Sequence, residues 1–286
     1  MEQTHRKTEI IIVVDENKDL YERILEVWSA QDNIKLVVTE ENLGAFGAGN
    51  VGVEIAQGSI IAFMDDDAIA ERDWLENLAV TYENLNVISV GGKALPRWLS
   101  GKPRYLPEEM YWLVGVTHEG FAEEEVVEVR NTFGLNMSFR REVFEEIGLF
   151  NAELGFAKGG NSYMQGAEAE FALRMKQALG KGVMYNPSAI VYHKIPPSKV
   201  EVKILLKRAF YQGYSKAKLK RLHTSTGCLS VETSYLKSLL VKYIPRRARR
   251  VFSGVNSATE VIRISFLLAL IVSVGIGFLC GYVKQA

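Results

Sequence analysis

The sequence predicts an α/β fold with a mostly parallel, Rossmann-like sheet that carries helices on both faces and is followed by C-terminal helices. Between residues 9 and 193, short β-branched runs alternate with segments of helical spacing, which is typical of βαβ units. Residues 198–250 have mostly helical spacing, and the run 264–283 carries no charge. We therefore expect an α/β region, a helical region and one apolar helix, in that order.

The individual strands and helices follow from local patterns. Continuous apolar runs predict buried strands, and apolar residues three or four positions apart predict helices. The predicted strands are 9–14, 34–38, 59–64, 87–90 and 188–192, and the predicted helices are 20–28, 49–56 and 72–82. Ligands of such sheets bind beyond the carboxyl ends of the strands, so polar residues at those ends are the first candidates for a site.

Charge is distributed unevenly along the chain. The 34 basic and 34 acidic residues cancel overall, but residues 1–193 carry a net charge of −14, residues 194–251 of +13 and residues 252–286 of +1. The basic segment predicts contact with anionic lipid headgroups, or simply a solvated helical face. Nucleic-acid binding is not expected beside so acidic a first region. The two cysteines exclude a disulfide scaffold and favour a reduced, cytoplasmic setting.

The uncharged run 264–283 predicts a membrane-spanning helix. At about 1.5 Å per residue it is long enough for a hydrocarbon core of about 30 Å, although a buried core helix or an interfacial hairpin is the alternative. The basic residues before it outnumber those after it, which places the large N-terminal region in the cytoplasm. The expected divisions are a catalytic domain at 1–197, a basic juxtamembrane region at 198–257, a single membrane span at 258–283 and a tail at 284–286.

Three consecutive carboxylates follow the strand at 59–64. Asp65, Asp66 and Asp67 repel one another, so their grouping at a ligand-binding strand end suggests a bound cation. Asp65 and Asp67 point to the same side of an extended segment, and their oxygens suit Mg²⁺ or Mn²⁺. The alternative is a solvated acidic turn. A cation held here could bind a diphosphate.

A second strand-end carboxylate, Asp15, precedes a glycine-rich segment at 42–50. Asp15 could accept hydrogen bonds from a base or a ribose, although aspartates in this position also cap helices. The glycines of the segment allow close backbone approach, and the helix that it opens offers N–H groups to an anion.

A third acidic feature begins a predicted helix at residue 167. Glu168 and Glu170 lie in its first turn, where the helix dipole favours the carboxylate form that a general base requires; simple helix capping is the alternative. The small, polar segment 158–165 before them is predicted to be a loop over the site. His193 ends the strand 188–192 and is either structural or a ligand.

Taken in order, these pieces resemble the inverting glycosyltransferases of family 2, which have the GT-A fold. The resemblance covers roughly residues 9–215 and rests on an ordered set of motifs. They are Val14-Asp15, the Asn-x-Gly pairs Asn42/Gly44 and Asn50/Gly52, the Asp-x-Asp motif Asp65/Asp67, Asn-Met-Ser-Phe-Arg-Arg at 136–141, Gly-Leu-Phe at 148–150, the helix with Gly166, Glu168, Leu173 and Arg174, and His193.

The resemblance implies a metal-dependent transfer from a UDP-sugar, with Mg²⁺ or Mn²⁺ as cofactor. It implies that Asp15 contacts the base and Asp65 or Asp66 the ribose, with Asn42, Gly44 and Asn50 in the nucleotide-binding loop. Asp65, Asp67 and His193 would lie at the metal and the diphosphate. Glu168 would be the catalytic base that removes the proton of the acceptor hydroxyl.

Two further segments, 106–115 and 211–217, together with the C-terminal apolar run, resemble archaeal glucosyl-dolichyl phosphate glucuronosyltransferases of N-glycosylation. This implies glucuronic acid as the transferred sugar and a dolichyl phosphate-linked saccharide as acceptor. Family members begin with a further strand and helix, so we expect this first unit to be missing here, and Gly49 stands where they often have arginine. The alternatives are a truncated, non-catalytic nucleotide-sugar-binding protein, a polyprenyl-phosphate glycosyltransferase for another sugar, and a sugar-1-phosphate nucleotidyltransferase.

Overall fold

The computed structural model describes residues 3–5, 7–122, 125–155, 163–223, 228–254 and 256–283. The chain divides into two compact units that are not contiguous in sequence. Unit one comprises residues 1–66, 70–93 and 125–191, and unit two comprises residues 67–69, 94–124 and 192–286. The division predicted from composition, with its boundary after residue 197, stays a prediction. The predicted tail 284–286 lies outside the described residues.

Unit one begins with a parallel pair of strands joined by a helix. Strand β1 (Ile10–Val14), helix α1 (Lys18–Trp28) and strand β2 (Ile34–Val38) form this pair, in which Ile10 lies opposite Ile34. Helix α1 begins where Asn17 accepts a hydrogen bond of 3.0 Å from the amide of Leu20, which satisfies one of the open N–H groups of the first turn.

Helix α2 (Gly44–Ile55) starts five residues earlier than the predicted helix at 49–56. The glycine-rich segment 42–50 is predicted to be a loop that opens a helix, but its part from Gly44 onward belongs to α2. A Cβ at Gly52 would lie 3.6 Å from Val13, and one at Gly49 would lie 3.6 Å from the ring of Phe63. Both distances are ordinary van der Waals contacts, so α2 lies close to β1 at Gly52 and to the ring of Phe63 at Gly49.

The strands of the second sheet are β3 (Ile60–Phe63), β4 (Ala68–Ala70), β5 (Ser89–Trp98), β6 (Val127–Val129), β7 (Met137–Arg140) and β8 (Val183–Ile195). Their order in the sheet is β3-β7-β5-β8-β4, with β6 beside β8. The pairings β3–β7, β5–β7 and β6–β8 are antiparallel, so the prediction of a mostly parallel sheet is wrong for this part. The helices that accompany this sheet are α3 (Trp74–Thr81), α4 (Arg141–Ile147) and α5 (Ala167–Leu179).

The core of unit one is aromatic. Phe139, Phe144, Phe150 and Phe171 are all buried, and their ring centroids lie 4.4 to 5.9 Å apart. Tilted and edge-on pairs at these distances add stabilisation beyond area burial. This cluster packs β7, α4 and α5 together, so it supports the N-terminus of α5, where the sequence predicts a catalytic base.

Unit two consists mainly of helices, as the spacing in residues 198–250 predicts. A 3-10 helix at Glu108–Val114 is followed, after β8, by a short 3-10 helix at Pro197–Val200. The long elements are α6 (Val202–Leu222), α7 (Ser230–Ser238), α8 (Ile244–Phe252) and α9 (Ser257–Val283), with a π-helical turn at Leu239–Tyr243 before α8. Helix α9 contains the predicted span and is long and apolar enough to cross a membrane.

A buried ion cluster joins three of these elements. The side chain of Arg247 on α8 is fully buried and lies 2.7 Å from Glu108, 2.6 Å from Glu109 and 2.7 Å from Glu260. A buried guanidinium is tolerated only with such partners. Glu108, Glu109 and Glu119 are close enough together to hold a metal ion, but these carboxylates are already neutralised by arginines. The cluster therefore fixes α8 and the start of α9 to the 3-10 helix.

Candidate active site

Asp15 lies at the end of β1 and is bound by the start of α2. Its carboxylate accepts hydrogen bonds from the hydroxyl of Thr39 at 2.9 Å and from the amides of Leu43 and Gly44, each at 2.8 Å. Gly44 has a φ of +73°, a conformation that glycine adopts without strain. Asp15 therefore holds the glycine-rich segment against the strand end, and its Oδ2, which accepts a single hydrogen bond, keeps a further lone pair for a ligand.

The two asparagines of the glycine-rich segment have different surroundings. Asn42 is half-buried in the loop before α2. Asn50 donates to the carbonyl of Phe150 at 2.9 Å and accepts from its amide at 3.0 Å. Because both ends of this amide bind backbone, Asn50 ties α2 to the segment after α4, and its contact with a nucleotide stays a prediction.

The three aspartates after β3 differ in exposure. Asp65 and Asp66 are exposed, whereas Asp67 is half-buried. In unit two, the Asp67 carboxylate lies 2.5 Å from the ammonium of Lys199 and 3.3 Å from Nε2 of His193. Lys199 Nζ also lies 3.1 Å from His193 Nε2. The structure thus brings two predicted ligand residues together around a lysine that the sequence analysis did not single out.

The electrostatics of this cluster favour an ionised Asp67. Burial raises the pKa of Asp67, but the contacts with His193 and Lys199 outweigh burial and hold that pKa well below its usual range. Nδ1 of His193 is buried and has no hydrogen-bond partner among the described residues. The anionic carboxylate of Asp67 is a suitable donor for Mg²⁺ or Mn²⁺, and Nε2 is the imidazole nitrogen of His193 that faces it.

Lys199 is held close to the end of β8 by local geometry. The chain leaves β8 through Pro196 and Pro197, and the 3-10 helix Pro197–Val200 follows at once. The amide of Lys199 donates to the carbonyl of Pro196 at 3.0 Å. The position of Lys199 just after β8, the strand that carries the candidate ligand His193, is the signal from which sequence reasoning could have identified this lysine.

The two glutamates of the first turn of α5 have different roles. Glu170 is buried and bound to Arg174 at 3.0 Å, and Arg174 also donates to the carbonyl of Leu149 at 2.8 Å. Glu170 is therefore part of a structural ion pair. Glu168 is half-buried, and a Cβ at Gly134 would lie 3.2 Å from its carboxylate oxygen.

The surroundings of Glu168 connect it with the glycine-rich helix. The same Cβ at Gly134 would lie 3.7 Å from the ring of Phe46 on α2, so both side chains border the space that Gly134 leaves open. In the predicted loop over the site, residues 158–162 lie outside the described residues. Within unit one, Glu168 and α2 therefore lie near each other, as the predicted base and nucleotide-binding segment require.

The chain is similar in sequence to known glycosyltransferases. The profile of glycosyl transferase family 2 matches residues 1–148. A glucosyl-dolichyl phosphate glucuronosyltransferase from Haloferax volcanii is 36% identical over 280 residues, which cover 98% of this chain and 88% of that protein.

Two solved structures share the fold. A mannosyltransferase from Pyrobaculum calidifontis, in complex with GDP-Man and Mn²⁺, superposes with a TM-score of 0.63 at 18% identity over 100% of this chain and 81% of its own. GalNAc-T7 with UDP, GalNAc and Mn²⁺ superposes with a TM-score of 0.52 at 14% identity over 89% of this chain and 53% of its own. The fold is GT-A-like. The profile match and the similarity to the Haloferax protein show that the chain is a glycosyltransferase and belongs to family 2.

Proposed function

We propose that the chain is a metal-dependent inverting glycosyltransferase that moves glucuronic acid from a UDP-sugar to a dolichyl phosphate-linked saccharide in protein N-glycosylation. The identity of 36% to a glucosyl-dolichyl phosphate glucuronosyltransferase, over nearly the whole of this chain, supports the donor and the acceptor. The chemistry of the candidate site supports the metal and the direction of attack.

The observation that carries the proposal is the cluster of Asp67, His193 and Lys199. Asp67 and His193, with Asp65 from the exposed turn, would hold Mg²⁺ or Mn²⁺. When bound, the ion would supply Lewis-acid stabilisation of the charge that builds on the departing diphosphate. Lys199 lies 2.5 Å from the Asp67 carboxylate, so the ion would displace its ammonium from that oxygen. The released ammonium would be available to the same diphosphate.

Glu168 is the proposed catalytic base. A helix N-terminus such as that of α5 favours negatively charged side chains in its first turn, and Glu170, the other acid of that turn, is occupied by Arg174. Glu168 would accept the proton of the acceptor hydroxyl as the oxygen forms a bond to the anomeric carbon. The bond between that carbon and the diphosphate breaks in the same step, UDP leaves with the electron pair, and the configuration inverts.

The nucleotide would lie at the glycine-rich segment. Asp15 is proposed to contact the base and Asp65 or Asp66 the ribose, with Asn42 and Gly44 bordering the pocket. The contact between Asp15 and the amides of Leu43 and Gly44 would then position this segment before the nucleotide binds. Preformed contacts of this kind reduce the entropic cost of binding.

Attachment to a membrane completes the proposal. Only 22% of the most apolar window of α9 is buried, whereas a core helix of a soluble protein is mostly buried. The basic segment 194–251 would attract anionic headgroups and the phosphate of the lipid-linked acceptor. For a spanning helix, the excess of basic residues before the apolar run would place the catalytic region on the cytoplasmic side.

Transfer assays with a panel of donors test the proposed specificity. The purified full chain in mixed micelles would be incubated with Mn²⁺, a glucosylated polyprenyl phosphate and radiolabelled UDP-glucuronate, UDP-glucose or GDP-mannose. We expect transfer from UDP-glucuronate and a β-linked product by NMR. Transfer from another donor alone would overturn the sugar assignment, and an α-linked product would overturn inversion.

A matched pair of variants tests the base. Glu168→Gln keeps the size of the side chain but removes its capacity to accept a proton, so we expect transfer to fall at least a hundredfold while Mn²⁺-dependent binding of UDP is unchanged. Glu142→Gln is the control, because Glu142 is an exposed glutamate in the first turn of another helix, α4. Full activity of the Glu168 variant would refute the assignment.

A further inference from the structure

Helix α9 is packed against unit two near its N-terminus. Arg263 donates to the carbonyl of Arg104 at 2.9 Å, and the ring of Phe266 meets that of Tyr105 edge-on at 5.3 Å. Leu267 and Leu270 are fully buried. The first half of the apolar run therefore does not extend away from the protein.

The second half of α9 is packed just as closely against α6. Ser273 donates to the carbonyl of Leu206 at 2.8 Å. A side chain at Gly277 would overlap the backbone of Phe210, and one at Gly281 would lie 2.9 Å from the carbonyl of Tyr214. Residue numbers increase together on both helices, so α6 and α9 run parallel with their backbones in contact.

This packing places charges beside the middle of the apolar run. The centre of the run 264–283 is at Ser273 and Val274, and the part of α6 that touches them extends from Leu206 to Gly213. Lys207 and Arg208 lie within that part. If α9 crossed a bilayer while so packed, both cations would lie at the depth of the hydrocarbon centre, where charged side chains are rare and costly.

Cations also lie near both ends of α9. Arg250 is 3.9 Å from Glu260, and the guanidinium of Arg221 is 5.4 Å from the ring centroid of Tyr282. Basic groups therefore accompany the helix at its beginning, its middle and its end. The charged groups that accompany a spanning helix lie at two depths, near the two membrane surfaces. Those that accompany a helix parallel to the membrane surface all lie at the same depth.

The outer face of α9 is an apolar stripe. Its exposed large residues are Val261, Ile262, Leu268, Val272, Ile276, Leu279, Tyr282 and Val283, and from Leu268 to Tyr282 they recur every three or four positions. At about 1.5 Å per residue the stripe is about 33 Å long. Phe252 at the end of α8, which is 90% exposed, adds a further apolar side chain. So long an exposed apolar surface in one helix requires an apolar partner.

We infer that α9 lies in the plane of the membrane surface and does not cross it. Its stripe, here called the lipid stripe, enters one leaflet, and the cations of α6 and α8 contact anionic headgroups beside it. The inference deepens the membrane attachment of the proposed function and rests on it only for the presence of a membrane. It replaces the single crossing that the sequence predicts, and it keeps both ends of α9 on the same side of the membrane.

The depth of single spin labels tests the inference directly. In full-length protein with Cys228 and Cys280 replaced by alanine, single cysteines at Val261, Val272 and Val283 would carry nitroxide labels. The protein would be bound to vesicles of phosphatidylcholine and phosphatidylglycerol, and depth would be measured by power saturation with oxygen and a nickel chelate. Val80→Cys on α3, an exposed residue of unit one, is the aqueous control.

We expect the three labels at one shallow depth, about 5 to 10 Å below the headgroup boundary, and the control in water. A profile with Val272 deepest and the two end positions at opposite surfaces would overturn the inference, because that is the profile of a span. Three labels in water would overturn it as well. The depth measurement does not depend on sugar transfer. The donor assay can therefore fail while the depth result supports the inference, and the depth result can contradict the inference while the donor assay succeeds.

Discussion

Removing the Lys199 ammonium should strengthen metal binding to the enzyme without nucleotide. The variant is Lys199→Met, which keeps the length of the side chain and removes its charge. In the native chain the ammonium lies 2.5 Å from the Asp67 carboxylate, so a metal ion that uses this oxygen must first displace it. The variant leaves the carboxylate without that competitor.

The size of the effect follows from the exposure of the pair. A hydrogen bond between charged groups contributes about 1.5 to 3 kcal/mol. The side chains of Asp67 and Lys199 are 34% and 27% exposed, and solvent screening lowers the contribution toward the small end of that range. About 1.4 kcal/mol corresponds to a tenfold change in affinity. We therefore expect the Mn²⁺ dissociation constant to fall about tenfold.

Electron paramagnetic resonance of free Mn²⁺, titrated with protein in the absence of UDP, measures this constant. The control is Lys203→Met, since the side chain of Lys203 is 79% exposed and its ammonium lies 3.0 Å from Glu201. Unchanged or weaker binding in the Lys199 variant would refute the competition. Transfer should fall in the same variant despite tighter binding, because the diphosphate loses a cation.

Three further predictions follow from other contacts. Asp67→Ala should abolish Mn²⁺-dependent binding of UDP in isothermal titration, and metal-independent binding of equal strength would contradict its role. Burial raises the pKa of Glu108 but its bonds to Lys102 and an arginine lower it to about 2, so its stabilisation is present above pH 4.5 and is lost as pH falls through 2. Thermal melts of Glu108→Gln should therefore lie below the wild type at pH 7 and converge with it near pH 2; parallel curves would contradict this. In a denaturant titration, Gly277→Leu should lower the free energy of unfolding by about 3 kcal/mol. Gly275→Leu should change it little, because a Cβ added at Gly275 would have open space around it.

Local patterns were sufficient for much of the fold. The run Ile34–Val38 was predicted with the bounds that the strand has, because a short apolar segment between polar residues has few other solutions. The apolar run at 264–283 likewise predicted a helix at α9. The antiparallel pairing of β3 with β7 was missed, since its partners are more than seventy residues apart and no local pattern encodes which strands meet.

The candidate site divides in the same way. Asp15, Asp67 and Glu168 could be found from sequence because carboxylates at strand ends and helix starts stand out against apolar runs. The role of Asn50 could not, because its partner Phe150 is 100 residues away. Lys199 was overlooked for the same reason, since its contact with Asp67 spans 132 residues.

The sequence alone determined the features that depend on neighbours along the chain, which are the strands, the helices, the acidic turn and the apolar run. Only the tertiary structure decided which charges meet and what the apolar run packs against. Glu109, 138 residues away along the chain, and Glu260 on α9 neutralise the buried Arg247, and glycines let α6 approach α9 to backbone contact. Electrostatic and packing energies depend on distance in space, so partners far apart in the chain become visible only once it has folded.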